Sequence, residues 1–515
     1  MLILISCLLL FITALALVVL RVMLPNTQYA WLVALGGAIL ALISVFSWLA
    51  QMPFELIMPA WQPTTAFVNP ILFRADGISW PFALSIKALT LTVLLTAVAR
   101  PFFANSYAWV GTLIIGGLGV MAVTANNPLT LLLVWGALDI TELFIYLRSA
   151  DGPTNNEKVV TSFSTRALGM GLLLWVNIVN FSQGSTFEVI APSSGLYLVM
   201  AAGLRLGVLP LHLPYSSEST LGRGLSTSLR LISAASSLVL LVYIPAGSLG
   251  SVLTPFLMAL AIIAALYGGW NWLRAPDELT GRPYWIMGIS ALSVISALSG
   301  NPLGAIAWGC ALVLVGGALF LASVQQAWLN RFLLVGAFSL SSLPFSLTAS
   351  AWLGKLSFFI PFVIIAQAIL MAGFIRHALR PGGRDSLESQ QNWSRTVYPT
   401  GILLLIIIQL LLGWMGWDGA RQIGAWLQAV IVSTLAFVLV WATPRLRILN
   451  PIRAHWVNPT TSRLSTIYQD LWTIIYRGFG RISQTITLTL EGEGGIMWTL
   501  LFLVLFVSLL TQGTP

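Results

Sequence analysis

The sequence predicts an all-α fold, a polytopic transmembrane helix bundle of about sixteen helices. Three observations carry that prediction. Of 515 residues, 57% are hydrophobic and 8% charged, and the mean hydropathy is +0.90. A soluble domain carries roughly 25% charged residues, so this chain cannot coat a water-solvated globule of its size. The apolar residues come in runs of the roughly 20 that one membrane crossing requires. The basic residues gather in every second connection between those runs, as the positive-inside pattern demands. No stretch shows the roughly ten-residue alternation of a membrane barrel, and over such lengths helices satisfy their own backbone in lipid.

Taken in order, the first run, Leu2 to Val22, has no charged n-region and is too long for a signal-peptide core, so it reads as a retained helix. Further spans fall near 28–50, 78–98, 105–125, 128–149, 161–183, 195–213, 225–247, 251–273, 283–300, 302–325, 330–350, 352–378, 398–416, 422–442 and 495–511. The odd-numbered connections carry Arg21, Arg100, Arg148, Lys158, Arg166, Arg223, Arg274, Arg282, Arg331, Arg376, Arg380, Arg384 and Arg395. The even ones carry only Arg74 and Arg421. The N-terminus is therefore expected outside and the odd connections in the cytoplasm or its equivalent. The net charge of +9 is then a topology signal, and no nucleic-acid partner is needed to explain it.

Residues 382–395 read as a solvated polar connector. From 461 to 490, Leu464, Ile467, Leu471, Ile475, Phe479, Ile482 and Ile486 recur at three- and four-residue steps with charges mostly between them. That pattern is an amphipathic helix on the cytoplasmic side, lying along the membrane, a neighbouring subunit or its own bundle. The expected organisation is N-terminal helices in 1–100, repeats in 101–250 and 251–380, C-terminal helices in 381–442, the amphipathic segment in 443–494 and a last span in 495–515. Cys7 and Cys310 lie far apart within apolar spans, so neither a disulfide framework nor a metal cluster is expected.

Setting the connections aside, Lys87, Asp139, Glu142, Arg205, His212, Arg230 and Lys355 remain at or near membrane depth, where ionisable groups are costly and by default functional. The alternative is a structural ion pair or a snorkelling side chain, which suits Arg230 best. Trp135, Asp139 and Glu142 share one helical face. Two carboxylates a turn apart repel in low dielectric unless a cation sits between them, and Arg205 is the candidate. Pro210 and Pro214 break the seventh span, and such breaks line polar cavities. His212 at the break is suited to a proton relay or is a core histidine bonded to a carbonyl. The second break centres on Pro344, a few residues before Lys355. Lysine can exchange a proton at neutral pH when desolvated; arginine cannot. Two broken helices, one per half, match the inverted-repeat logic of transporters.

These pieces resemble the antiporter-like membrane subunits of respiratory complex I, shared with multisubunit sodium/proton antiporters and membrane-bound hydrogenases. The carriers are ADGISWPFAL (75–84), NPLTLLLVWGALDI (127–140), GLRLGVLPLH (203–212) and AWLGK (351–355), in the family's order and spacing. The resemblance implies a fifth-helix Glu paired with a seventh-helix Lys, a base in the eighth helix and a Lys or Glu in the twelfth. Carried over, the Glu position falls on Gly136, with Asp139 one turn later as its substitute. The seventh-helix Lys falls on Arg205, the family His on His212 and the twelfth-helix Lys on Lys355; Arg230 is the base nearest the eighth-helix position.

The resemblance implies a proton- or cation-translocating subunit of a complex I-like NADH:quinone oxidoreductase or a related antiporter or hydrogenase assembly, in a bacterial cytoplasmic membrane or an equivalent one. Its partners would be other membrane subunits, the lipid bilayer and protons or sodium, with no cofactor and no catalytic centre of its own. The competing readings are a non-conducting structural paralogue, motivated by Gly136 and Arg205, and the membrane half of an inorganic-carbon uptake system.

Overall fold

A computed structural model describes residues 2–24, 30–58, 70–99, 106–149, 153–180, 186–213, 221–245, 247–324, 327–353, 357–380, 392–415 and 423–445. Two apolar helices begin the chain, α1 (Leu2–Met23) and α2 (Ala30–Ser47). A short antiparallel hairpin follows, β1 (Phe54–Ile57) with β2 (Leu72–Ala75), in which Glu55 faces Arg74 across the strands. It is a small departure from the all-helical expectation, confined to the second connection. The helices α3 (Ser79–Thr96), α4 (Ser106–Thr124), α5 (Pro128–Ser149), α6 (Pro153–Val179) and α7 (Gly195–Leu206) come next. They are followed by α8 (Arg223–Leu238), α9 (Gly250–Arg274), α10 (Glu278–Leu298) and α11 (Pro302–Leu321). Two short helices, α12 (Ala327–Leu333) and α13 (Val335–Leu340), precede α14 (Ile360–Ala378), α15 (Asn392–Met415) and α16 (Ile423–Arg445).

Among the described residues, 12 helices are long and apolar enough to cross a membrane. The difference from sixteen has physical causes. The spans expected at 195–213 and 330–350 are interrupted helices, and α10 carries Glu278, Arg282, Pro283 and several serines that lower its hydropathy. The span at 495–511 and the amphipathic segment at 461–490 lie outside the described residues, as does Lys355.

Residues 1–58 and 71–441 form one compact unit. Within it α3, α8 and α11 are almost wholly buried, whereas α1, α2, α6 and α16 leave most of their surface open. Lipid tails are as apolar as leucine, so helix association there relies on close packing of small residues and on interhelical hydrogen bonds. The central helices meet that need. Helix α8 alternates serines with Leu229, Leu231 and Ile232, and α11 carries Gly309, Gly316 and Gly317. Thr92 of α3 donates to the Gly401 carbonyl of α15 at 2.9 Å, and Trp80 of α3 donates to the Val45 carbonyl of α2 at 3.0 Å.

A buried four-charge cluster as the candidate functional site

Helix α5 starts where Pro128 fixes the first turn and Asn127 Oδ1 accepts the Thr130 N–H at 2.7 Å. Thr130 Oγ in turn accepts the Leu72 N–H at 2.9 Å, tying the helix to the hairpin. The 3.6-residue period then carries Trp135, Asp139 and Glu142 to the face turned toward α6, α7 and α8, and all three are fully buried. Gly136, on the neighbouring face, has open space where a side chain would begin.

Arg205, in the last turn of α7, grips Asp139 with both terminal nitrogens: Nη1 to Oδ2 at 2.5 Å and Nη2 to Oδ1 at 2.9 Å. Its Nε donates to Ser237 Oγ at 3.1 Å, and its guanidinium lies 4.1 Å from the centre of the Trp135 ring. The fork fits a carboxylate plane, and the stacked indole adds a cation–π attraction. Trp135 is oriented by its own N–H, which donates to the Ser236 carbonyl at 3.2 Å. Gly169 of α6 makes the approach possible, because a Cβ there would stand 2.8 Å from Arg205 Cγ.

A second arginine completes the cluster. Arg166 donates to Glu142 Oε2 and to Ser233 Oγ, and it stands 3.3 Å from Asp139 Oδ1. The sequence reading placed Arg166 in a connection; α6 starts at Pro153, eight residues earlier than expected, which puts it mid-helix at 2% exposure. Two carboxylates and two guanidiniums thus neutralise one another away from solvent. The carboxylates differ in one respect. Both Asp139 oxygens accept hydrogen bonds, whereas Glu142 Oε1 is buried without a hydrogen-bond partner among the described residues.

Helix α7 stops at Gly207, whose φ of +71° takes it into the left-handed region, with the Val208 N–H returning to the Gly203 carbonyl at 2.9 Å. The break therefore begins three residues ahead of Pro210. His212 lies beyond it, with Nδ1 against the Pro210 carbonyl at 2.8 Å, and takes no part in the cluster. Arg230 of α8 is 1% exposed and sits beside Tyr146 of α5, buried in the bundle rather than snorkelling to an interface. Lys87 donates to the Ser6 carbonyl of α1 at 2.9 Å, and no carboxylate lies within ion-pair distance of it among the described residues, Glu142 included.

In the second half, α13 ends at Leu340, and Ser341 to Thr348 run irregularly around Pro344, with Ser342 and Phe345 at φ values of 59° and 62°. Side chains from other helices satisfy the freed backbone. Gln367 of α14 donates to the Leu340 carbonyl at 2.8 Å and to Ser342 Oγ at 2.9 Å, and Asn301 donates to the Ser350 carbonyl at 2.7 Å. Thr348 Oγ donates to the Ser339 carbonyl at 2.8 Å and accepts the Ser342 N–H at 3.1 Å. A further buried arginine, Arg282 of α10, was also expected in a connection. It reaches Thr227 at 2.8 Å and Ser226 at 3.0 Å on α8, because α10, capped by Asp277, starts five residues earlier than the apolar run suggests.

No family model matches the sequence. A chain named NADH-ubiquinone oxidoreductase chain 2, from Gardnerycteris crenulata, is 29% identical over 171 residues, which is 32% of this chain and 46% of that one. The chain therefore spans less than half of that curated relative. Among solved structures, a chain of the Mrp complex from a Dietzia species superposes with a TM-score of 0.71 at 14% identity, covering 100% of this chain and 63% of that one. The archaeal membrane-bound sulfane sulfur reductase gives 0.66 at 14% identity, over 98% of this chain and 99% of the other. Respiratory complex I from Thermus thermophilus gives 0.62 at 19% identity, over 85% of this chain and 100% of the other. Polytopic, helical and interrupted at two spans, the chain has the fold shared by membrane subunits of the Mrp complex, the sulfane sulfur reductase complex and respiratory complex I.

Proposed function

We propose that this chain is a proton- or cation-translocating membrane subunit of a multisubunit assembly of the complex I or antiporter type. The observation that carries the reading is Glu142 Oε1, a buried carboxylate oxygen without a hydrogen-bond partner among the described residues, within a cluster of two carboxylates and two guanidiniums. Arginine does not hand a proton on at accessible pH, so in this cluster the proton belongs on a carboxylate, and Glu142 has the free oxygen to take it. Asp139, held in the Arg205 fork, sets the local field. Arg166 faces both carboxylates, and its shift from one to the other is the charge change that loads or unloads Glu142.

In the second half Lys355, just past the break at Pro344, would be the titrating base, and the two interrupted spans would belong to inverted repeats within about sixteen helices. His212 would serve the first repeat from beyond its break. Other membrane subunits, lipid and the translocated ion would be the partners. The N-terminus would face outward from a bacterial cytoplasmic membrane or an equivalent energy-coupling one.

A specific observation also supports a second reading. The Arg205 fork leaves Asp139 fully satisfied, as in a structural ion pair, and a non-conducting subunit that scaffolds such a complex would keep that arrangement. Reconstituting the assembled complex with Glu142→Gln, and separately with Lys355→Ala, separates the two. Translocation should be lost or strongly reduced in both with assembly intact, whereas unchanged translocation in both would leave the scaffold.

A further inference from the structure

At the Arg-rich ends of α3, α4, α5 and α8 the surface opens into a cleft of about 760 Å³. Its walls are apolar, formed by Val93 of α3, Val110 and Ile114 of α4, Phe144 and Ile145 of α5, and Leu225 of α8. Two guanidiniums stand at its mouth. Arg148, next to last in α5, lies 5.4 Å from the centre of the Tyr107 ring and forms no ion pair among the described residues. Arg223, the first residue of α8, is fixed by Glu278 at 2.9 Å and by the Phe320 and Ala322 carbonyls at 3.2 Å. No described lining residue is acidic, and Thr112 and Thr141 turn their hydroxyls to carbonyls one turn back in their own helices.

The cleft has a direction. From Arg148 back to Thr141 on α5, and from Tyr107 on to Ile114 on α4, the chain rises by about 10 Å. It therefore descends from the helix ends, where the basic mouth lies, into the acyl depth of the bilayer along two helices. It is open sideways at Tyr107 and Phe144, which are 52% and 69% exposed.

The geometry points to a binding site for one anionic phospholipid, with its phosphate at Arg148 and Arg223 and an acyl chain along Val110, Ile114 and Phe144. With two cations at its mouth, Arg148 without an ion pair among the described residues and Arg223 shared with Glu278, the cleft favours a head group of net negative charge over a zwitterionic one. The ring of Tyr107 at head-group level is the usual interfacial anchor. Apolar walls give nothing to a free phosphate ion but shelter a lipid chain. Arg148 and Arg223 stand outside the four-charge cluster, so the site does not depend on what that cluster does.

The full-length protein, delipidated in detergent, is titrated with phosphatidylglycerol, phosphatidylcholine or inorganic phosphate while its thermal transition is followed. Phosphatidylglycerol should raise the transition most and phosphate should not raise it. A basic residue near a membrane surface contributes about 1 kcal/mol toward anionic lipid, so Arg148→Gln should weaken the phosphatidylglycerol effect about fivefold while leaving the phosphatidylcholine response in place. Val110→Trp, which fills the chain groove without touching the mouth, should weaken both lipids. Equal responses of wild type and R148Q, equal responses to the two lipids, or a matching response to phosphate would each overturn the assignment. So would a photoreactive phosphatidylglycerol that fails to label the cleft in the assembled complex because another subunit's helix crosslinks there.

Discussion

Asp139→Asn preserves the shape of the side chain at the centre of the cluster and removes its charge. Arg205 holds both carboxylate oxygens, at 2.5 and 2.9 Å, and Arg166 stands 3.3 Å from one of them. The variant would leave two guanidiniums facing the single carboxylate of Glu142, where none of the four side chains is more than 3% exposed. Removing one partner of a buried pair costs about 3–5 kcal/mol, and the bidentate geometry puts this pair toward the upper end. The Asn carbonyl still accepts one hydrogen bond, which returns about 1 kcal/mol. The net loss is then about 3–4 kcal/mol. One kcal/mol shifts the melting temperature of a 150–250-residue domain by about 2–4 °C, and in a chain of twice that length by less, so the expected drop is about 3–8 °C. The assay is a thermal melt of the detergent-solubilised chain followed by size-exclusion monodispersity. Adding Arg205→Met to D139N removes the stranded cation and should recover at least half of the loss. A D139N protein that melts with wild type, or a double variant whose loss is the sum of the singles, would refute the pairing described here.

Glu142→Gln should be milder in stability, about 1.5–3 kcal/mol, because Arg166 keeps its Asp139 contact; the same melt compared with D139N checks that order. Arg205→Lys loses the fork and the indole stacking and should cost about 1–3 kcal/mol, while translocation per assembled complex should stay level or rise, because lysine can exchange a proton; vesicle uptake normalised to complex content measures it. Gly207→Ala places a side chain at φ +71° and should cost about 1–2 kcal/mol with the ion pairs intact, readable as a lower melting temperature. Thr348→Val removes one hydroxyl that both donates and accepts within the second break and should cost about 1–3 kcal/mol, measurable by the same melt and as faster proteolysis around Ser341 to Thr348.

Some of this was legible in the sequence because it depends on short-range periodicity. A 3.6-residue period is enough to bring Trp135, Asp139 and Glu142 to one face, and a cation at Arg205 follows from the need to offset two carboxylates. The interruption of the seventh span is visible as Pro210 and Pro214, and that of the span at 330–350 as the serine-rich run around Pro344. What was not legible depends on where helices start. Arg166 lies only five residues into a span taken from 161 and reads with the basic connection before it, whereas the start at Pro153 makes it mid-helix. Arg282 is hidden in the same way by the polar first turn of α10, although Asp277 before Glu278 is a readable N-cap signal. The pairing of Arg166 with both carboxylates could not be read at all, since it needs α6 to lie against α5 and leaves no spacing in the chain.

The two arginines constrain how a cluster of this kind can work. With a lysine opposite the carboxylate, the cation itself could lose its proton and the site could switch by neutralisation. With arginines on both sides the positive charge is permanent, so the only changes open to the site are protonation of a carboxylate and re-pairing of a guanidinium. Arg205 is poorly placed for re-pairing, being held by the Asp139 fork, Ser237 and the Trp135 ring together. Arg166 has a split allegiance to Glu142 and Asp139, and its Ser233 contact at 3.3 Å is long. On the proposed reading, a proton entering at Glu142 would weaken the attraction holding Arg166 there, and Asp139 would gain it. That movement would be short, would need no proton from either arginine, and would turn one proton into a shift of positive charge toward Asp139 and α7. Removing the second anchor alone, by Arg166→Gln, should therefore uncouple proton entry from any response at α7 while the Asp139–Arg205 fork stays closed.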